Sequence, residues 1–181
     1  MERMGPYRFR LQPVLQRVLD WLPATLSVLM IALESTATFS ANNTSQWLYP
    51  LWVRLFGPIS PAHWAEVHHL IRKTGHFVGY GLVSLAFFEG WRATFSARTR
   101  NRAWVFAVVG PLALVSTLLL ASWDEWHQSF LPGRTGKISD VGIDFSGAIV
   151  AHLVLLLALV IVLRVRAARL KASRRPVSSQ V

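Results

Sequence analysis

Residues 104–123 form a predominantly apolar, uncharged run that ends abruptly at Asp124-Glu125-Trp126-His127-Gln128-Ser129-Phe130-Leu131-Pro132-Gly133-Arg134. A few residues later, Asp140 and Asp144 enter a second apolar run. About 20 such residues are what one helical crossing of a hydrocarbon layer requires. Ionisable groups at or inside the end of a crossing are expensive, so they mark candidate functional sites by default. The same reading applied outward finds four runs, at 21–39, 74–91, 104–123 and 141–163.

Composition agrees. Of the 181 residues, 52% are hydrophobic and 15% charged, and the charge is confined to short segments between the runs, which excludes an ordinary soluble domain. The net charge of +10 does not indicate nucleic acid, because the Arg and Lys residues sit at the ends of apolar stretches without an aromatic-interleaved platform. No cysteine is present, which removes disulfides, thiolate metal ligands and thiol nucleophiles.

Fourteen of the 19 basic residues flank the runs on one side: Arg3, Arg8, Arg10 and Arg17; Arg92, Arg98, Arg100 and Arg102; and Arg164, Arg166, Arg169, Lys171, Arg174 and Arg175. By the positive-inside rule these segments are cytoplasmic. The expected fold is therefore an all-α membrane protein: a bundle of four transmembrane helices with cytoplasmic N- and C-termini. A basic N-terminal segment (1–20) precedes the membrane domain (21–163), and a basic tail (164–181) follows it. The first helix is expected to be retained, although Ser35-Thr36-Ala37 offers small residues of the kind a signal peptidase accepts. In the first external loop, 40–73, the aromatic-rich run Gln46 to Phe56 is too short to span and reads as a short interfacial helix. His63, His68 and His69 in this loop have irregular spacing and read as solvated residues.

Most unusual charges then fall on the outer side. Lys73, His76 and Tyr80 share one helical face, and Gly75 with Gly79 offers a small-xxx-small packing pair. Asp124 and Gln128 share a face, with Glu125 about a quarter turn away, and Pro132 and Gly133 turn Arg134 back towards the acids. Ser139 or Asp140 suits a helix cap, whereas Asp144, one turn deeper, needs a bundle-facing position. Gly142, Ser146 and Gly147 read as close-packing residues.

Lys73-x-x-His76-Phe77-x-x-Tyr80, Asp124-Glu125-x-x-Gln128-x-Phe130-x-Pro132-Gly133-Arg134 and Asp140-x-x-x-Asp144-x-x-Gly147, with Glu34-Ser35-Thr36 at the exit of the first run, resemble the VanZ-like family of bacterial membrane proteins. The resemblance covers about residues 20–165. It implies a small four-helix protein of the bacterial cytoplasmic membrane, and the family's namesake is linked to resistance against the glycopeptide teicoplanin. It implies no particular reaction.

Two functional classes follow. In one, Glu34, Lys73, His76, Tyr80, Asp124, Glu125, Gln128, Arg134, Asp140 and Asp144 form an outward-facing site. Lys73, Arg134 and Lys137 attract an anionic amphiphile there, such as a lipid-linked envelope precursor. In the other, His76 or His127 carries a proton and Glu125 or Asp144 acts as general base on a lipid-linked phosphate. A divalent metal could join these carboxylates, but no metal-ligand motif, nucleophile elbow or phosphate-cradling loop is present, so no resident cofactor or metal is expected and binding is the favoured reading. Partners are the lipid bilayer and an envelope precursor or glycopeptide, without nucleic acid; no oligomeric state is assigned.

Overall fold

The computed structural model describes residues 12–96, 101–132 and 134–173. Most of segment 1–20, the end of tail 164–181, Arg3, Arg8, Arg10, Arg98, Arg100, Arg174, Arg175 and the turn residue Gly133 lie outside the described residues, as does the side chain of Arg102. Among the described residues there are five α-helices and no strand: α1 (Gln12–Glu34), α2 (Ala41–Phe56), α3 (Pro61–Ser96), α4 (Arg102–Gln128) and α5 (Ile138–Ser173). A 3-10 turn, Ala37–Phe39, links α1 to α2.

Local chemistry sets several ends. The Asn101 side chain accepts from the backbone N–H groups of Ala103 and Trp104 and so satisfies two orphan donors at the start of α4. Gly57 ends α2 with φ of 88°, a conformation that side-chain-bearing residues rarely adopt. Ser139 and Asp140 fall inside the first turn of α5, which begins at Ile138, so neither is its cap.

Three segments are long and apolar enough to cross a membrane: Leu15–Glu34 in α1, Phe106–Gln128 in α4 and Ile138–Lys171 in α5. α3 is 36 residues long, but its first turns carry His63, Glu66, His68, His69, Arg72 and Lys73. Its helix begins at Pro61 instead of near Thr74, because nothing between those positions breaks it. The three loop histidines therefore ride on a helix: His63 and His69 are exposed, but His68 is buried, stacked on Trp64 and 3.1 Å from the Thr44 hydroxyl. Burial, with Arg72 and His69 nearby, holds the His68 imidazole below its ordinary pKa.

α3 is the hub, packing against α1, α4 and α5. Tyr80, Val83, Ile31 and Ala121 form one buried cluster, and Phe88, Val109 and Ala113 a second. Only 6% of the apolar window of α5 is buried, and Leu153, Val154, Leu157 and Ile161 stand exposed. Such a surface is untenable in water and fits hydrocarbon.

The closest helix approach is not at Gly75 and Gly79, which face open space, as does Gly142. It is at Gly147, whose missing side chain admits the Phe77 carbonyl, and at Gly81, where an added Cβ would lie 3.1 Å from the Gly147 carbonyl. Ser146 is exposed and returns its hydroxyl to the Ile143 carbonyl. α3 and α5 thus cross backbone to backbone next to His76 and one turn from Asp144.

Candidate functional site

The site is built in two layers where α1, α3, α4 and α5 converge. The inner layer centres on Asp124, which is 5% exposed. It accepts from the Tyr80 hydroxyl at 2.9 Å, from the Gln128 amide at 2.9 Å and from the Ser35 hydroxyl. One carboxylate therefore ties the exit of α1 to the middle of α3 and the end of α4. Tyr80 is fully buried and stacks against His76, with ring centroids 6.3 Å apart.

Arg134 does return to this end of the bundle, but among the described residues it forms no ion pair with a carboxylate. Its guanidinium donates to the carbonyls of Glu34 and Thr36 and, at 3.5 Å, to Gln128 Oε1. A cation on the last carbonyl of α1, that of Glu34, satisfies an acceptor that the helix leaves open, and the Thr36 carbonyl beyond it takes the Phe39 N–H as well. Glu34 thus enters through its backbone, and its side chain is exposed. Arg134→Lys loses the planar fork and should lower the unfolding free energy by about 1–3 kcal/mol. Scanning fluorimetry of the detergent-purified protein would register this as a lower melting temperature.

The outer layer lines a cavity of about 170 Å³. An ordered water needs only about 10–15 Å³ on this measure, so the space accepts a phosphate-sized group with solvent. Its cations are Arg72, Lys73, Arg134 and Lys137, and its carboxylates are Glu125 and Asp140; His69, His76, Gln128, Thr135 and Ala41 complete the wall. Lys73 and Asp140 form an ion pair between α3 and α5. Arg72 donates to the Phe39 carbonyl at 2.9 Å and the Thr44 hydroxyl at 3.3 Å, which draws the start of α2 over the cavity. α2 is further fastened where the Trp64 indole donates to Ser45 at 2.7 Å.

Behind the cavity, His76, Glu125 and Asp144 come together from three different helices, their ligand-type atoms all within 4.8 Å of one another. Asp144 is fully buried, and His76 Nδ1 lies 3.3 Å from its Oδ1. Neither Asp144 oxygen has a hydrogen-bonded partner. Glu125 Oε2 accepts the Lys137 backbone N–H at 2.7 Å. That bond exists because Gly136 lets the α4–α5 loop lie directly on the Glu125 carbonyl.

A family model described as VanZ/LLP1 matches residues 14–161, which includes every side chain of this constellation. The chain belongs to the VanZ-like family. No curated protein and no solved structure matches it. With that membership, the helices long enough to cross a membrane identify a VanZ-like membrane protein.

Of the residues singled out by sequence, Lys73, His76, Glu125, Gln128, Arg134 and Asp140 line the cavity. Asp144 stands behind it, and Tyr80 and Asp124 form the supporting layer. His127 is not brought in; it borders a separate groove between α1 and α4 with Val28 and Trp123. Sequence reasoning missed Arg72, His69 and Ser35 as parts of this assembly. His69, Arg72, Lys73 and His76 share one helical face, of which the sequence reading takes in only Lys73 and His76 because it assigns His69 to the loop.

Proposed function

We propose that this VanZ-like protein crosses the bacterial cytoplasmic membrane four times, with both termini inside, and that its cavity opens outward to bind the anionic head of an amphiphilic envelope ligand. In this reading residues 21–163 are the membrane domain, and the basic segments 1–20 and 164–181 flank it in the cytoplasm. The 14 inner basic residues support the orientation. α3 supplies the fourth crossing through its apolar second half, with its polar first turns and α2 at the outer interface.

The observation that carries the ligand class is the cavity's charge: four cations against two carboxylates, one of which is already paired with Lys73. The surplus suits a phosphate or pyrophosphate, and the exposed apolar helix faces beside it suit a lipid tail. A lipid-linked cell-wall precursor has both parts, which would connect the site to envelope homeostasis and to the glycopeptide tolerance of the family's namesake.

Binding of a polyprenyl phosphate to the protein in nanodiscs tests this directly. Lys137→Met and Lys73→Met should each weaken binding about 10- to 100-fold through loss of a charge-assisted hydrogen bond, whereas the uncharged polyprenol should not bind measurably. Equal binding of phosphate and alcohol would refute the reading.

A second reading has its own observation. The fully buried Asp144 beside His76 is the arrangement that orients an imidazole for proton transfer, and Glu125 stands at the cavity wall as a further base. Hydrolysis or group transfer on the bound lipid phosphate would then follow binding. Mass spectrometry of the incubated ligand decides: turnover abolished by Glu125→Gln and Asp144→Asn supports catalysis, and unchanged ligand at saturation supports binding alone.

A further inference from the structure

We infer that His76, Glu125 and Asp144 form a binding site for one divalent cation, held between α3, α4 and α5 at the base of the cavity. This deepens the proposed anionic-ligand site and rests on it for the role of the ion, although not for its binding.

The geometry begins with spacing. Ligand atoms on one ion with bonds of about 2.1 Å lie at most about 4.2 Å apart. The three groups already place theirs within 4.8 Å, and His76 Nδ1 and Asp144 Oδ1 are 3.3 Å apart, so contraction by a fraction of an ångström completes the set.

Asp144 supplies the independent observation. Its side chain has no exposed surface, its one close polar neighbour among the described residues is His76, with Nδ1 3.3 Å from Oδ1, and neither oxygen accepts a well-formed hydrogen bond. A buried carboxylate facing a single imidazole, with its second oxygen unpartnered, costs several kcal/mol. The neighbouring Asp124 has identical chemistry but three donors, so the fold satisfies a buried carboxylate where it needs one. A cation shared with His76 and Glu125 completes Asp144.

The supporting contacts are those of a ligand set. Glu125 is fixed by the Lys137 backbone N–H, an outer contact that orients a ligating carboxylate. His76 and Glu125 both reach the cavity wall, so the remaining coordination positions face the incoming ligand. One imidazole and two carboxylates suit Zn²⁺ or Mn²⁺ better than Mg²⁺ or Ca²⁺, which favour oxygen-only sets. With Arg72, Lys73 and Lys137 around the mouth, a phosphate oxygen entering the cavity meets the ion as well as the side-chain cations.

The test uses tag-free, full-length protein purified in detergent and stripped with chelator, then titrated with Mn²⁺ by electron paramagnetic resonance and with Zn²⁺ against a chromophoric chelator, with no amphiphile present. One ion per chain is expected, with Kd of about 10 μM or tighter, weakened about 100-fold in Glu125→Gln and in Asp144→Asn. Glu66→Gln, an acid outside the cavity, should bind as the wild type does. The inference is overturned if wild-type protein binds neither ion at about 1 mM, or if both site variants elute as folded protein and bind with wild-type affinity. Because the titration contains no lipid phosphate, its failure leaves the polyprenyl phosphate measurement standing, and the reverse also holds.

Discussion

Asp124→Ala should cost about 3–5 kcal/mol and lower the melting temperature by roughly 10 °C or more, the largest loss expected from any polar substitution in the chain. The carboxylate carries no surface to speak of, and three donors from three parts of the fold converge on it. Removing it strands the fully buried Tyr80 hydroxyl and takes the acceptor from the Ser35 hydroxyl and the Gln128 amide, and each group left unpaired away from water costs about 1–3 kcal/mol. Asp124→Asn keeps one acceptor oxygen but turns an N–H₂ group towards donors, so it should fall between alanine and wild type. Intrinsic fluorescence from the eight tryptophans gives the melting curve. Unchanged stability in both variants would mean that the Asp124 network does not hold α1, α3 and α4 together.

The second large effect is steric. At Gly147 an added Cβ would collide with the Phe77 carbonyl, and backbone cannot turn aside as a flexible side chain can. Gly147→Ala must therefore push α5 from α3, at a cost of about 2–4 kcal/mol. Gly142→Ala, one turn away in the same helix, meets open space and should be neutral or stabilising by up to about 1 kcal/mol, the usual gain of replacing a mid-helix glycine. The displacement at Gly147 also separates His76 from Asp144, so this variant should lose affinity for Mn²⁺ in proportion to its loss of stability. Equal melting temperatures for the two alanine variants would contradict the backbone-to-backbone crossing.

The reach of sequence reading shows at the same places. Asp144 and Gly147 stand one turn apart in an apolar run, and periodicity alone requires them to face the bundle. Asp124, Gln128 and Tyr80 were legible as polar positions on shared faces for the same reason. What periodicity does not carry is which glycine meets a neighbour: Gly75, Gly79 and Gly142 have the same local signature as Gly147 and face nothing. Partner choice was equally hidden for Arg134. Charge alone sends it to Asp124 or Glu125, yet the open Glu34 carbonyl at the end of α1 and the Thr36 carbonyl beyond it accept it, because a helix terminus is an acceptor invisible in side-chain chemistry. The polarity of 61–73 reads as loop because it ends an apolar span, but a helix leaving a hydrocarbon layer has no need to stop at its surface. That extension adds Arg72 and His69 to the cavity.

The proposed anion site requires the cavity to meet the outer leaflet, whereas the proposed ion site does not. The chain's lack of cysteine makes this measurable without background. Thr135, exposed at the cavity wall between α4 and α5, is the position to use. The measurement is the rate at which Thr135→Cys reacts with a membrane-impermeant maleimide in intact spheroplasts. The predicted result is rapid labelling that polyprenyl phosphate slows about tenfold and the parent polyprenol leaves unchanged. Labelling that requires inverted vesicles, or that the phosphate does not slow, would contradict an outward-facing site for an anionic amphiphile.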